Sequence, residues 1–392
     1  MSILKVYNPL NIEIDHGDGV YLYCTKGTRY LDFTSGIGVT SLGHSHPSLI
    51  SALKSQAEKI WHCSNLFRIE NQKIVADKIT QNSFAESVFF CNSGTEAVEA
   101  GIKVIRKYFN AINEKRFKII CAKNSFHGRT YAAISASGKS KLTEGFEPVL
   151  NGFKQVAFND SKAISRSVDK ETAAIMIETV QGEGGITPAK KEYLRDIQKI
   201  ADDNNLLLFF DEVQCGVGRT GKFLATEWVK ELKPNIVAVA KGIGGGFPIG
   251  ALLLDKKTSK SMDLGSHGST FGGNPLAMAV AQEVLNFVLN EEFLDHVREI
   301  GFNLRKLLKE NILTKFPKLV SGVRGIGLMV GLEAIENNEI LIKSLIKEKL
   351  LTVKAGQNVI RMLPPLILEM KHVEEAIEKI DKAFSIFKKT TF

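Results

Sequence analysis

The sequence predicts an α/β protein: a largely parallel, doubly wound sheet with helices on both faces, and a smaller α+β unit beyond it. Three observations carry this. Five short apolar runs recur through the middle of the chain, amphipathic stretches separate them, and the composition changes character from about Pro275.

The runs are Val88–Cys91, Phe117–Cys121, Ala173–Ile177, Leu206–Phe210 and Ile236–Ala240. Each is apolar on both parities, as a strand buried on both faces requires. Between them, "SGTEAVEAGIKVIRKYF" places Ala97, Gly101, Val104, Ile105 and Tyr108 on one helical face. "KKEYLRDIQKIADDNN" does the same with Tyr193, Ile197 and Ile200. Alternation on this scale predicts parallel neighbours joined by crossover helices. Beyond Pro275 come long Leu/Lys/Glu-rich helical patterns and a few strands, "GIGLMVGLEA" and "NVIRMLPPL" among them.

A chain of 392 residues is long for one core, so two domains are expected. A hydrophobic fraction of 44% and a charged fraction of 24% are those of an ordinary globular protein. No stretch approaches the roughly 18 uninterrupted apolar residues of a membrane span. The opening "MSILKVYNPLNIEIDHGDG" lacks a signal peptide's apolar core and cleavage site. Cys24, Cys63, Cys91, Cys121 and Cys215 are odd in number and never form C-x-x-C. Reduced cytoplasmic thiols are therefore expected, not a disulfide framework or a metal site. The net charge of +8 is dispersed and forms no basic stripe with interleaved aromatics. Nucleic acid is thus not an expected partner, whereas a mild positive bias suits a small anionic substrate.

Ligands of an open parallel sheet collect at the carboxyl ends of its strands. After Val88–Cys91, "NSGTEA" sets Ser93 and Glu96 as a capping box opening a helix. Backbone N–H groups and the helix dipole there suit a phosphate, with Gly94 permitting close approach. After Phe117–Cys121, "AKNSFHGRT" offers Phe126 and Arg129 around a glycine. "ETVQGEGG" puts Glu178 at the next strand end and Glu183 among glycines. Asp211 follows Leu206–Phe210, and Lys241 follows Ile236–Ala240 ahead of three consecutive glycines.

Taken singly, these residues read as a helix cap, a solvated arginine and turn carboxylates. Together they suit one ligand. A lysine leaving an apolar strand is desolvated, which lowers its pKa and makes it a nucleophilic amine for a Schiff base. Pyridoxal 5′-phosphate needs that amine, an anion site and an acid that keeps its ring nitrogen protonated. Asp211 is the acid, Phe126 a ring to stack, and the glycines after Lys241 leave space. The rival motif "GVGRTG" at residues 216–221 matches a dinucleotide G-x-G-x-x-G literally. Its context fails, because "DEVQC" separates it from the strand and no clean helix start follows.

The blocks "LDFTSGIGVTSLGHSHP", "CNSGTEAVEAGIK", "FHGRT", "ETVQGEGGI", "DEVQCGVGRTGKF", "AKGIGGGFPIGA", "HGSTFGGNPLA" and "NVIRMLPPL" run in this order from about residue 31 to 366. The chain so closely resembles the class III, fold type I pyridoxal-phosphate aminotransferases. The resemblance implies a large cofactor domain at 56–280 and a small domain built from 1–55 and 281–392. It implies that Lys241 carries the cofactor, Asp211 pairs with its ring nitrogen and Gln214 contacts its phenolic oxygen. Gly94 and Thr95 look like phosphate ligands and Phe126 like the stacking ring. Thr270 resembles a phosphate contact given to the neighbouring subunit, implying a homodimer with its active site at the interface. Ser269 and Arg129 look like substrate contacts, Arg361 like a second carboxylate clamp, and Glu183 like the acid that masks it.

The family's ornithine-specific members carry tyrosine where Ile37 stands, so the resemblance implies an acylated donor. The donor the resemblance implies is N-acetylornithine, whose terminal amine would pass to 2-oxoglutarate, giving N-acetylglutamate 5-semialdehyde and glutamate, a step of arginine biosynthesis. Succinylornithine, N-succinyl-diaminopimelate, ornithine and 4-aminobutyrate stay open as donors, the last because its enzymes share the isoleucine. Phe67 departs from the tyrosine frequent in relatives. An enzyme of another class, a glutamate-semialdehyde aminomutase, would share Lys241 and Asp211 but need no external acceptor.

Overall fold

The computed structural model describes residues 2–391. Three antiparallel strands come first, β1 (Ile14–Asp18), β2 (Tyr21–Cys24) and β3 (Arg29–Asp32). Four strands of a central sheet follow, β4 (Ser87–Cys91), β5 (Lys118–Ala122), β6 (Phe153–Val156) and β7 (Thr172–Glu178). A short ribbon, β8 (Val180–Gln181) with β9 (Thr187–Pro188), precedes β10 (Leu207–Asp211), β11 (Ile236–Ala240) and β12 (Gly250–Leu254). The central sheet has the order β4-β12-β11-β10-β7-β5-β6. The C-terminal region adds β13 (Val320–Ile326), β14 (Met329–Ala334), β15 (Leu350–Leu351), β16 (Val353–Ala355) and β17 (Val359–Met362).

All five expected strands form, shifted by a residue at most, and β11 lies where the apolar run placed it. The expected parallelism is incomplete. From β11 through β10, β7, β5 and β6 the neighbours are parallel, but β12 runs antiparallel to both β11 and β4. Ala240 and Gly250 are register partners, and the chain between them makes only a tight 3₁₀ turn. That link is too short for the crossover helix a parallel return needs. The edge strand β6, "FKQV", is short and part-polar, which hid it in the sequence. "GIGLMVGLEA" is likewise a hairpin, β13 into β14, not one strand.

The helix Gly94–Ala111 buries Ala97, Val104 and Ile105 as its periodicity predicts. Gly101 lets the helix lie close against the sheet: a Cβ there would stand 2.5 Å from the Phe209 ring. The helix Lys191–Asn204 buries Tyr193 and Ile197, while Ile200 is only half-buried. In the first sheet β3 pairs in parallel with β15, so residues from both ends of the chain share it. Arg361 sits on β17, between β14 and β16. The five cysteines are free thiols. Among the described residues, no helix is long and apolar enough to cross a membrane and no His/Cys/Asp/Glu group could hold a metal ion.

Candidate active site

A cavity of ≈ 440 Å³ opens at the carboxyl ends of β4, β7, β10 and β11. Its lining includes Gly94, Thr95, Phe126, Arg129, Glu183, Asp211, Gln214 and Lys241. Six of these eight were expected from the strand ends, and Thr95 and Gln214 from the family resemblance; the cavity brings all eight together.

At one end lies the N-terminus of the helix Gly94–Ala111. Ser93 Oγ accepts from Glu96 N at 3.3 Å, while the Glu96 carboxylate turns back to Asn92 N, which is the expected capping box moved one residue outward. The first N–H groups of such a helix have no intrahelical partner and face an anion well. Gly94 has a second reason to be glycine: a Cβ there would lie 2.6 Å from Val213 Cγ1. Gly128, at φ +127, brings its backbone against Thr95 in a way no side chain allows, so the wall here is backbone-lined. Thr95 Oγ1 meets Thr130 Oγ1 at 3.1 Å.

Asp211 closes β10 and is almost fully buried. Its Oδ1 accepts from Val213 N at 3.0 Å, and its Oδ2 lies 2.7 Å from His127 Nδ1. A carboxylate oxygen only accepts, so Nδ1 carries the proton. His127 was missed in the sequence because a lone histidine beside "GRT" has no spacing signature. His127 Nε2 is buried without a partner among the described residues. Glu178, at the end of β7, accepts from Phe126 N at 3.0 Å and Gly182 N at 3.2 Å. Burial, with Asp211 adding to it, pushes its carboxyl up to about 7.

Lys241 leaves β11 at φ +48, in the left-handed region disfavoured for a side-chain-bearing residue. Of the glycines after it, Gly246 lines the cavity, but Gly245 is required by the fold: a Cβ there would meet Leu49 at 2.6 Å. The space-making reading thus applies to part of the glycine run only. Burial, then Arg361, lowers the Lys241 ammonium to about 8, against the pull of Glu183, Asp211 and Glu178. At pH 8 about half of Lys241 is then the free amine, against under about 1% of an ordinary lysine. Because only the neutral amine attacks a carbonyl, covalent capture of pyridoxal phosphate by cofactor-free protein is expected to accelerate as pH rises. The midpoint lies near 8, read from absorbance at a series of pH values; a rate flat from pH 6.5 to 9 would refute the lowered pKa.

At the opposite end Arg361 is buried and donates from Nη1 to Glu183 Oε1 and to Gln214 Oε1, the latter at 3.0 Å. Burial alone would raise the Glu183 carboxyl, but Arg361, backed by Lys241 and Lys139, outweighs it and holds it low. Arg129 is exposed, with its guanidinium carbon 5.7 Å from the centre of the Phe126 ring. Half-buried Lys139 adds a cation within the field of Glu178, Glu183, Arg129 and Arg361, which lies outside any motif noted in the sequence. Thr270 and Ser269 do not reach this cavity. Thr270 is exposed, and Ser269 Oγ accepts from Asn92 Nδ2 at 3.2 Å and from Gly272 N at 2.9 Å on a neighbouring surface. Ile37 is exposed and outside the lining, where Val39 of the same loop stands instead. Phe67 is exposed as well. The "GVGRTG" segment forms tight turns, its Arg219 buried with Nη1 donating to the Leu328 carbonyl at 3.0 Å.

One cavity thus gathers a backbone-lined helix N-terminus, an aromatic ring, a buried carboxylate with a histidine behind it, and a desolvated amine. The donor set matches what pyridoxal phosphate requires at its phosphate, ring face, ring nitrogen and aldehyde. Fold and site define a pyridoxal-phosphate-dependent transaminase of fold type I. The profile of the family described as Aminotransferase class-III matches residues 4–384, and the chain belongs to that family. It is 45% identical over 394 residues to an acetylornithine aminotransferase of Brucella melitensis, covering 98% of this chain and 97% of that one. With an acetylornithine aminotransferase of Mesorhizobium japonicum it shares 48% over 380 residues, 97% of this chain and 95% of the other. Among solved structures, the ornithine aminotransferase of Toxoplasma gondii superimposes with a TM-score of 0.94 at 29% identity, covering 99% of this chain and 94% of that one. The N-acetylornithine aminotransferase of Stenotrophomonas maltophilia gives 0.85 at 34%, covering 97% and 98%.

Proposed function

We propose that this transaminase moves the terminal amino group of N-acetylornithine to 2-oxoglutarate, yielding N-acetylglutamate 5-semialdehyde and glutamate. The observation that carries this is the Glu183–Arg361 pair at the cavity. A donor reacting at its terminal amine keeps its α-carboxylate far from the reacting carbon, so a cation close to that carbon must be covered. Arg361 is covered, by Glu183 and Gln214, whereas Arg129 is exposed and takes the distant carboxylate. The names of the relatives agree.

Bound at Lys241, pyridoxal phosphate supplies the electron sink that lets the amine-bearing carbon lose its proton. Gly94, Thr95 and the helix N-terminus hold its phosphate, and Phe126 stacks on its ring. Asp211, fixed by His127 and Val213, keeps the ring nitrogen protonated. Gln214 serves the phenolic oxygen. Lys241 Nζ, with its lowered pKa, moves the proton at the reacting carbon. Glutamate, reacting at its α-carbon, needs Arg361 uncovered, so Glu183 swings aside on Gly182 and Gly184.

Thr270 and Ser269 serve the cavity of a second copy in a homodimer. Exposed Trp61, Leu66, Leu264 and Phe271 supply apolar surface for that contact. The compartment is the cytoplasm.

The two half-reactions, followed by cofactor absorbance, test the reading. The parent enzyme is expected to prefer N-acetylornithine over ornithine and 4-aminobutyrate and to need 2-oxoglutarate for turnover, which an aminomutase would not. Glu183→Ala is expected to strengthen the glutamate half-reaction while losing selectivity for the terminal amine, by about tenfold each. Equal slowing of both would make Glu183 scaffolding.

A further inference from the structure

The loop between β3 and residue 44 carries a latch that the reaction as described leaves unused. Asp32 is fully buried, and both of its oxygens are engaged. Its Oδ1 accepts from Thr34 N at 2.8 Å, Thr34 Oγ1 at 2.7 Å and Ser35 N at 3.2 Å. Its Oδ2 lies 2.8 Å from His44 Nε2. His44 is in turn bound to Gly19 by backbone hydrogen bonds in both directions, and its ring packs where Gly17 has no side chain. The carboxylate thus ties the two ends of one loop together, and His44 anchors them to β1 and the turn after it.

That loop needs tying. Ser35, Gly36, Ile37 and Gly38 stand consecutively in the left-handed region, at φ 47, 61, 67 and 78. Two of the four bear side chains, a conformation that persists only when the surroundings over-determine it. The loop's far side is the active site. Val39 lines the cavity, and Gly38 passes beside Gln214. Ser41 Oγ donates to the carbonyl of Gly242, the residue after Lys241, at 2.8 Å. The Phe33 and Ser41 carbonyls accept from Leu363 N and Leu366 N, each at 2.7 Å, just beyond Arg361. One strained loop therefore touches the turn of the lysine, Gln214 and the chain leaving the masked arginine.

We propose that Asp32 and His44 are positioning residues whose pairing holds loop 35–41, with its left-handed turn at 35–38, as the amino donor's wall of the cavity. This rests on the donor reading above for its substrate, but not for the latch itself. Losing the pair lets the loop relax to ordinary backbone angles and withdraws Val39, while Ser41 stays held by its own bonds to Gly242 and Leu366. Donor binding then suffers before chemistry does, because Asp32 and His44 touch none of Asp211, Phe126 or Thr95.

The test compares the holoenzyme with His44→Leu, which keeps the bulk but removes the donor, and with His44→Gln, whose Nε2 reaches the same place. Hydrogen exchange of peptides within 33–42 is expected to rise about tenfold in His44→Leu, with the rest of the chain unchanged. KM for N-acetylornithine is expected to rise by a similar factor while kcat stays within about twofold. His44→Gln is expected to restore both. If His44→Leu does not fold, Asp32→Asn, of equal size, carries the same two readouts. Unchanged exchange in 33–42, or exchange rising throughout the chain with kcat falling alongside, overturns the proposal. If exchange rises locally but the parent enzyme ignores N-acetylornithine, the latch stands and the substrate reading fails.

Discussion

Lys241→Arg is expected to give a folded, colourless protein that transaminates at least about a thousandfold more slowly than the parent. The guanidinium keeps the positive charge that Glu183, Asp211 and Glu178 face, so the site's electrostatic balance is preserved. What disappears is the ability to be neutral: a guanidinium is never deprotonated in proteins, whereas the Lys241 amine is half neutral near its pKa of about 8. Borohydride treatment of the parent should fix the cofactor to the peptide carrying Lys241 and leave the variant unlabelled. An arginine variant that keeps its yellow colour and its rate would remove Lys241 from the reaction.

Asp211→Asn is expected to retain the cofactor and lose two to four orders of magnitude in kcat. The carboxylate is buried and accepts from Val213 N and His127 Nδ1. A protonated ring nitrogen completes that pair in a dry site. Replacing the charge with an amide removes about 3–5 kcal/mol of stabilisation where charge accumulates. The absorbance of the bound cofactor and single-turnover rates decide it; turnover near the parent's would leave Asp211 a turn cap. His127→Asn offers an internal comparison. It should fall between the two, because the acid remains and only its orientation loosens.

What the sequence disclosed, and what it withheld, follows from range. Lys241, Asp211 and Glu178 were legible because each ends a strand that is buried on both faces, so its position was set by a local pattern. The capping box at Ser93 was legible for the same reason. His127 was not, since its partner Asp211 is remote in sequence and only the β5–β7–β10 order brings them together. The antiparallel β12 was hidden because "GALLL" is apolar throughout and records no direction. Arg361 and the masking role of Glu183 came from family resemblance alone, and the reason they belong together is a contact between β17 and the turn after β8. Ile37 was singled out by resemblance for the side chain it lacks; in the single chain it is exposed, and Val39 of the same loop lines the cavity.

The parallel pairing of β3 with β15 also sets a schedule for synthesis. Leu31 and Asp32 leave the ribosome long before their register partners Leu350 and Leu351 are made. At about 5–20 residues per second, the N-terminal strands wait roughly 15–60 s for a partner. The central sheet has no such dependence, because every one of its strands lies between residues 87 and 254 and can assemble as soon as that segment is out. Its cavity end, however, is walled by the loop that follows β3, and Arg361 arrives only with β17. Nascent chains would therefore hold a formed sheet and a correctly placed Lys241 well before they hold an enzyme, and truncations short of Leu350 should expose the edge of β3 to whatever extended chain is nearest.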